Sequence, residues 1–327
     1  MVIVSVLVIF IYALLIINFL RGWIALPEFE ASGMANEPRV TIITACKNEV
    51  NNLPYLFQAV NEQSFRNFEF LLVDDGSTDG SYEYAEQVSL NFPELKLLRN
   101  SGKGKKEAIK TAVLQSESEI IVTLDADCLP SVDWLNEIVQ FYTENLCDLI
   151  ICPVKMDSDG SFFQEFQQFE FASLIASGAG AAAIGMPVLC NGANLAFRRE
   201  SWLECMDNLH FEVPGGDDIF LLQSIKKRKG IIRFLKSVNA TVTTHSAVNL
   251  KAFIHQRRRW ASKKSAYTDW QLALTAAVVF LASFIVLLDF VLAIVQPNLI
   301  ALVLNIFLLK LLIDVSFFYK ISDFFGL

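Results

Sequence analysis

The sequence has no C-x-x-C pair, and its 6 cysteines and 3 histidines form no zinc-ligand spacing. That excludes a zinc module and leaves the cysteines as reduced thiols of a cytoplasmic compartment, with no role assigned. No G-x-x-x-x-G-K-[ST] stretch occurs, which excludes a P-loop nucleotide site. Internal repeats and low-complexity segments are also missing, which excludes solenoids and disordered arrays. There is no basic excess: 27 Lys and Arg against 35 Asp and Glu leave a net charge of -8, so no nucleic-acid partner is expected. Residues 1–20 lack charge altogether, without the basic start and small-residue cleavage site of a secretory signal.

What is abundant is apolar surface. Hydrophobic residues make up 53% of the chain and the mean hydropathy is +0.41, high for a soluble protein. The excess sits in three runs. Residues 1–21 are long enough to span a bilayer as an uncleaved anchor, a cleaved signal being the alternative. Two further runs within 269–319 read as a hairpin of spans turning at Gln296, Pro297 and Asn298, with buried core helices as the alternative. Residues 320–327 are left as a tail or as the start of another amphipathic segment. Arg21 follows the first run, and Arg257, Arg258, Arg259, Lys263 and Lys264 precede the second. Basic residues at both ends of the same central segment predict that this segment is cytoplasmic, with the N-terminus and the hairpin turn on the other side. Asp289, Lys310 and Asp314 fall inside the apolar runs, where an ionisable group needs a partner. Lys310 can reach for Asp289, pair i,i+4 with Asp314, or meet a neighbouring chain.

After a linker at residues 28–38 (EFEASGMANEP), the pattern of residues 38–247 changes to alternating strands and helices. RVTIITA, FEFLLVDD and EIIVTLDAD read as strands; residues 49–63 and 103–116 read as helices. Such alternation predicts an α/β domain with a largely parallel sheet, whose ligands bind at the carboxyl ends of the strands. Both acidic clusters fall at those ends. VDDGSTDG holds Asp74, Asp75 and Asp79 beside Gly76 and Gly80, either a ligand-facing turn or a generic surface turn. Asp125 and Asp127 form D-A-D; on a strand, carboxylates one residue apart share a face, and a hard cation such as Mg2+ or Mn2+ would relieve their repulsion. Lys103, Lys105 and Lys106 open a helix, as an anion site or a solvated run. In PGGDDIFLLQSIKKRKG, Asp217 and Asp218 sit at a helix start, where acids also serve as ordinary caps.

In order, VDDGSTDG, DAD, GDD and QRRRW resemble the D, D-x-D, (E/T)-D and Q-x-x-R-W series of family 2 glycosyltransferases. The membrane-bound branch with the cellulose, chitin and hyaluronan synthases is the nearest pattern, over residues 39–260. The resemblance implies a GT-A fold, a nucleotide-sugar donor with UDP favoured, a Mg2+ or Mn2+ cofactor and inversion by single displacement. Carried over residue by residue, Ala45, Glu49, Asp75 and Asp125 would hold the donor, joined by Lys103 from the anion site at the helix start. Asp127 would hold the metal, with His245 a further metal ligand or a structural histidine. Asp218 looks like the catalytic base, with Asp217 where the family usually has Glu. Asn191 and Gly192, in CNGANLAFRR, would line the sugars. In the last motif Gln256 and Trp260 would face the acceptor, and Arg257 and Arg259 the diphosphate. Arg258 and Lys263 would serve a phospholipid surface. The stretch TTHSAVNL lacks the acid and proline common before Q-x-x-R-W in synthases, a departure that bears on polymer synthesis more than on sugar transfer.

Phe162, Phe166 and Phe169 recur at helical spacing, as a core stripe or as an interfacial helix on the bilayer. Residues 248–268 read as a second amphipathic interface segment. The partners expected are a nucleotide sugar, the bilayer, and a polysaccharide or lipid acceptor, with an oligomer or export partner needed if a polymer is exported. The readings that compete are a polysaccharide synthase, a non-processive enzyme adding one sugar to a lipid as ceramide glucosyltransferases do, and a catalytically silent scaffold. The intact acidic series argues against the last.

Overall fold

The computed structural model describes residues 2–261 and 268–327; Lys263 and Lys264 lie outside the described residues. In chain order come α1 (Val2–Ala25), β1 (Val40–Cys46), α2 (Leu53–Asn61), β2 (Phe68–Asp74), α3 (Ser81–Ser89), β3 (Leu95–Arg99), α4 (Lys105–Gln115), β4 (Ile120–Leu124) and α5 (Trp134–Asn145). They are followed by β5 (Leu149–Ile151), β6 (Val154–Met156), α6 (Phe162–Ala183), β7 (Asn194–Arg198), α7 (Arg199–Cys205), α8 (Asp217–Lys227), β8 (Ile232–Phe234), β9 (Val242–Thr244) and α9 (Leu250–Ala261). The last two helices are α10 (Trp270–Val295) and α11 (Ile300–Phe325). The chain divides into two compact units: Pro27–Phe171 with Leu189–Tyr267, and Met1–Leu26 with Ala172–Val188 and Thr268–Leu327.

The first unit is built on a seven-stranded sheet of order β3-β2-β1-β4-β7-β5-β8. Its strands β1, β2 and β4 are apolar along most of their length and buried on both faces, as parallel strands covered by helices must be. One covering helix is α2, whose buried Leu53, Leu56, Phe57 and Val60 recur at the helical period. Strand β7 runs antiparallel to both β4 and β5. Its N-terminal end therefore meets the carboxyl end of β4, Asn194 opposite Leu124. A short parallel pair, β6 with β9, completes the strands described.

One expectation needs correcting here. Strand β4 ends at Leu124, so Asp125 and Asp127 lie in the turn that follows, closed by the Cys128 N–H on the Asp125 carbonyl at 3.1 Å. Face-sharing by strand alternation therefore does not apply to them. The linker at residues 28–38 is held against the first unit. The Phe29 N–H donates to the Lys236 carbonyl (2.8 Å), the Ala31 N–H to Glu137 (3.1 Å) and the Ala35 N–H to Asn136 (2.8 Å). The segment is strapped along α5, with the Phe29 ring edge-on to Phe141.

The second unit holds three helices long and apolar enough to cross a membrane. Polar side chains of this unit pair between helices. The Ser5 hydroxyl donates to Asp289 (3.0 Å) and the Tyr12 hydroxyl to Asp314 (2.6 Å). Lys310 bonds Asp314 at 2.6 Å, so of the partners considered it takes its i,i+4 neighbour and not Asp289. Helix α1 meets the second half of α6 through glycines: a Cβ on Gly22 would stand 2.1 Å from the Gly180 carbonyl oxygen. Helix α11 runs on through Phe325, and Trp23 packs on Phe324 and Phe325.

Candidate active site

The acidic motifs gather where the strand ends of β1, β2 and β4 meet the N-termini of α4 and α8. The VDDGSTDG cluster separates into builders and a candidate ligand. Asp74 accepts the N–H groups of Gly76 (3.1 Å) and Ser77 (3.2 Å), and Asp79 accepts those of Val50 (3.1 Å) and Ser81 (3.0 Å). Both shape the turn. Asp75 faces the other way. Its carboxylate takes the Asn100 amide (2.7 Å), the Gly104 N–H (2.8 Å) and Lys47 (3.2 Å). Gly104 has φ 85, a left-handed conformation that suits glycine and precedes α4. Partial burial opposes the charge on Asp75, but these three donors prevail and hold its pKa below the usual carboxylate range. Ala45 lies on β1 opposite Val73. Glu49 accepts from Asn52 (2.7 Å), and its pKa is raised by burial and by Asp127, Asp125 and Asp79.

The centre of the site is Lys105. Its ammonium lies 2.5 Å from Asp125 and 3.8 Å from Asp217. Burial works against the charge, yet the carboxylates outweigh it and raise the lysine's pKa, so the group stays protonated. The sequence points to Lys103 as a donor ligand; Lys103 is exposed, and the fold turns Lys105 inward. The phase of α4, which starts only at Lys105, decides between them.

Asp218 accepts the Gly192 N–H (3.1 Å) and its neighbour Ile219 N–H (2.7 Å). Its pKa is raised, first by burial and then by the negative charge of Asp217. Gly215 and Gly216 both have positive φ, 69 and 75, which explains the diglycine: the chain enters α8 through two left-handed residues. A Cβ on Gly192 would stand 3.0 Å from the Asp217 carboxylate, 3.3 Å from the Asp218 Cβ and 3.5 Å from the Lys105 ammonium. Asn191 forms the turn beside it, its side chain accepting the Ala193 N–H at 3.0 Å. Asp125, Asp217, Asp218, Gly192 and Lys105 are thus one cluster.

Asp127 is less committed. It accepts the Thr244 hydroxyl at 3.3 Å and lies 3.7 Å from the Cys128 thiol. His245, one residue past Thr244, places its Nδ1 2.6 Å from Asp157 rather than at Asp127. Among the described residues no three His, Cys, Asp or Glu side chains form a metal cage. A hard divalent ion needs no cage when it shares its shell with phosphates and takes one or two carboxylates. The donor set at Asp127, with Glu49 near enough for its charge to be felt, fits such a shared site.

The Q-x-x-R-W stretch lies on α9, packed against the first half of α6. Phe163 meets Phe253 edge-on, and Gln167 bonds the Ala247 carbonyl (3.0 Å). Arg257 forms an ion pair with Glu170 and stacks over Phe253 and Trp260, at 4.7 and 4.3 Å from the ring centroids. Its Nε and Nη1, and the Gln256 Oε1, are buried with no hydrogen-bond partner among the described residues. Glu170 thus engages the Arg257 guanidinium through its Nη2. Arg259, Gln256, His245 and His255 line a cavity of about 450 Å³. Phe162, Phe166 and Phe169 are 84%, 50% and 39% exposed, so the core alternative for this stripe is overturned.

The chain belongs to glycosyl transferase family 2, whose model matches residues 41–206, about half of the 327 residues. It is similar to the glycosyltransferase AglE of Haloferax volcanii, 34% identical over 116 residues, covering 35% of this chain and 38% of that protein. It is also similar to a beta-monoglucosyldiacylglycerol synthase of a Nostoc species, 25% identical over 230 residues, 68% of this chain and 48% of that protein. The chain thus spans less than half the length of either relative. Among solved structures, the mannosyltransferase PcManGT from Pyrobaculum calidifontis, in complex with GDP-Man and Mn2+, superposes with a TM-score of 0.62 at 18% identity, covering 98% of this chain and 96% of that one. That likeness shows the fold, a GT-A-type mixed α/β sheet.

Proposed function

We propose that this chain is a membrane-bound, inverting glycosyltransferase that moves one sugar from a nucleotide-diphospho-sugar to a lipid acceptor, with its catalytic unit on the cytoplasmic side. The observation that carries the reading is the cluster of Asp218, Asp217, Lys105, Asp125 and Gly192 at the strand ends, in a chain with three membrane-length helices. Asp75 sits in a cup of donors suited to fixing its carboxylate against a nucleoside, and the motif resemblance favours UDP. Asp127 with Glu49 would hold Mg2+ or Mn2+; a bound ion supplies charge neutralisation for the diphosphate.

The chain's own groups do the rest. The ionised Asp218 carboxylate takes the acceptor hydroxyl proton. The freed oxygen bonds the anomeric carbon as the bond from that carbon to the diphosphate oxygen breaks, and the nucleoside diphosphate leaves. Attack opposite the leaving group inverts the anomeric centre. Lys105 offsets the negative charge of Asp125 and Asp217 and opposes the rise in the Asp218 pKa. The exposed Phe162, Phe166 and Phe169, with Arg258 and Arg259 on α9, offer the apolar and cationic surface that a phospholipid layer takes. The similarity to a glycolipid synthase supports the lipid acceptor over a polymer.

The test is product sizing. The purified protein in lipid receives Mn2+ or Mg2+, labelled nucleotide sugars and candidate lipid acceptors. One sugar on an organic-extractable lipid is expected; a long water-soluble polymer overturns the single-transfer reading. Asp218→Asn should lower kcat by about 100-fold or more while sparing nucleotide binding. Near-normal turnover of that variant would remove Asp218 as the base.

A further inference from the structure

Lysines 105 and 106 are neighbours on the first turn of α4, and a helix turns successive side chains about 100° apart. Lys105 faces the carboxylates. Lys106 faces away from them and is buried, 6% exposed, a costly place for an ammonium unless its donors are used. They are used on one short loop. The Lys106 Nζ donates to the His210 carbonyl at 2.7 Å and to the Val213 carbonyl at 2.9 Å. It also stands 4.1 Å from the centroid of Phe220, and the His210 ring packs on that same phenyl at 4.8 Å.

The loop is one that needs holding. His210 has φ 52, a left-handed conformation uncommon for a residue with a Cβ. The His210 carbonyl also accepts the Val213 N–H at 3.0 Å, closing a turn whose ends Lys106 ties together. Pro214, Gly215 and Gly216 follow, then Asp217 and Asp218. Two left-handed glycines give that stretch great freedom, so the position of the acids depends on what anchors the chain just before them. One turn further along α4, on the same face, Lys110 lies 4.6 Å from the Phe211 centroid and grips the loop again.

We propose that Lys106 is a positioning residue for the proposed sugar transfer: it pins the 210–213 turn so that Asp217 and Asp218 meet Lys105 and the Gly192 N–H in register. It touches neither sugar nor phosphate; it acts through the backbone of the loop that delivers the base. The inference rests on the glycosyl-transfer reading for its kinetic consequence, but the pinning itself is readable without turnover.

The experiment compares the full-length protein with Lys106→Met, which keeps the aliphatic stem against Phe220, and with Lys106→Arg, which keeps two donors. Amide hydrogen exchange over residues 210–219 is expected to speed up at least tenfold in Lys106→Met and to stay near the wild-type rate in Lys106→Arg. UDP or GDP binding, measured by titration calorimetry, should stay within twofold in both. With an active donor and acceptor pair, kcat of Lys106→Met should fall at least tenfold with donor KM within twofold, and Lys106→Arg should recover most of it. Unchanged exchange in Lys106→Met overturns the proposal, as does a loss in donor KM rather than kcat. Should Lys106→Met fail to fold, slow exchange and near-normal kcat in Lys106→Arg support the proposal, and fast exchange with low kcat counts against it. Absence of turnover in the wild type would defeat the transferase reading, while the exchange comparison would still decide the role of Lys106.

Discussion

Replacing Gly192 with alanine probes the site with one methyl group. Gly192 is not among the left-handed glycines, so alanine meets no backbone penalty there. Its N–H remains to bond Asp218. The whole effect is contact. The new Cβ would lie 3.0 Å from the Asp217 carboxylate oxygen and 3.3 Å from the Asp218 Cβ, against about 3.5–4.0 Å for comfortable carbon contacts. The two acids must retreat by a few tenths of an ångström, away from Lys105 and from the acceptor oxygen. Overpacking of this kind costs about 1–3 kcal/mol of stability. A displacement of about 1 Å at a reacting group costs about 100-fold in rate, so a shift of several tenths corresponds to about tenfold. The assay is kcat and donor KM side by side, with thermal unfolding as a control. A tenfold fall in kcat, an unchanged donor KM and a Tm lower by a few degrees are expected. A kcat within twofold of wild type would refute the claim that this backbone seats the base.

Three further outcomes follow from the charges. Lys105 lowers the pKa of Asp218, so Lys105→Met should raise it further; a base works ionised, so the acid limb of kcat moves to higher pH in a pH–rate profile. Asp217 raises that same pKa, so Asp217→Asn should move the acid limb the other way, to lower pH. Chelation should stop turnover and added Mn2+ or Mg2+ restore it, and Asp127→Ala should raise the metal concentration needed for half-maximal rate.

The strands and the acids at their ends are legible in the sequence because they depend on local period and on where apolar runs stop. The geometry among them is less so. The strand before the acids stops at Leu124, short of both, which turns D-A-D from a face of a sheet into a turn whose two acids take different partners, Lys105 and Thr244. Lys105 looks no different from Lys103 until the start of α4 sets the helical phase. The pairing of Arg257 with Glu170 is not legible because Glu170 is distant in the chain and lies on another helix. The stripe of Phe162, Phe166 and Phe169 shows its period plainly, but periodicity alone does not say whether the apolar side faces protein or lipid.

The reversed direction of β7 sets where this scaffold can tolerate change. A strand parallel to its neighbours would send its following loop to the site; β7 sends its preceding one, residues 190–193, and carries its exit to the opposite rim. Divergent copies of the chain are therefore freer to drift in length where β7 passes into α7, before the 210–213 turn is reached. Ahead of it, every residue inserted or lost would reposition the backbone that meets Asp218. The two ends of one five-residue strand face opposite selection, and length polymorphism should record it.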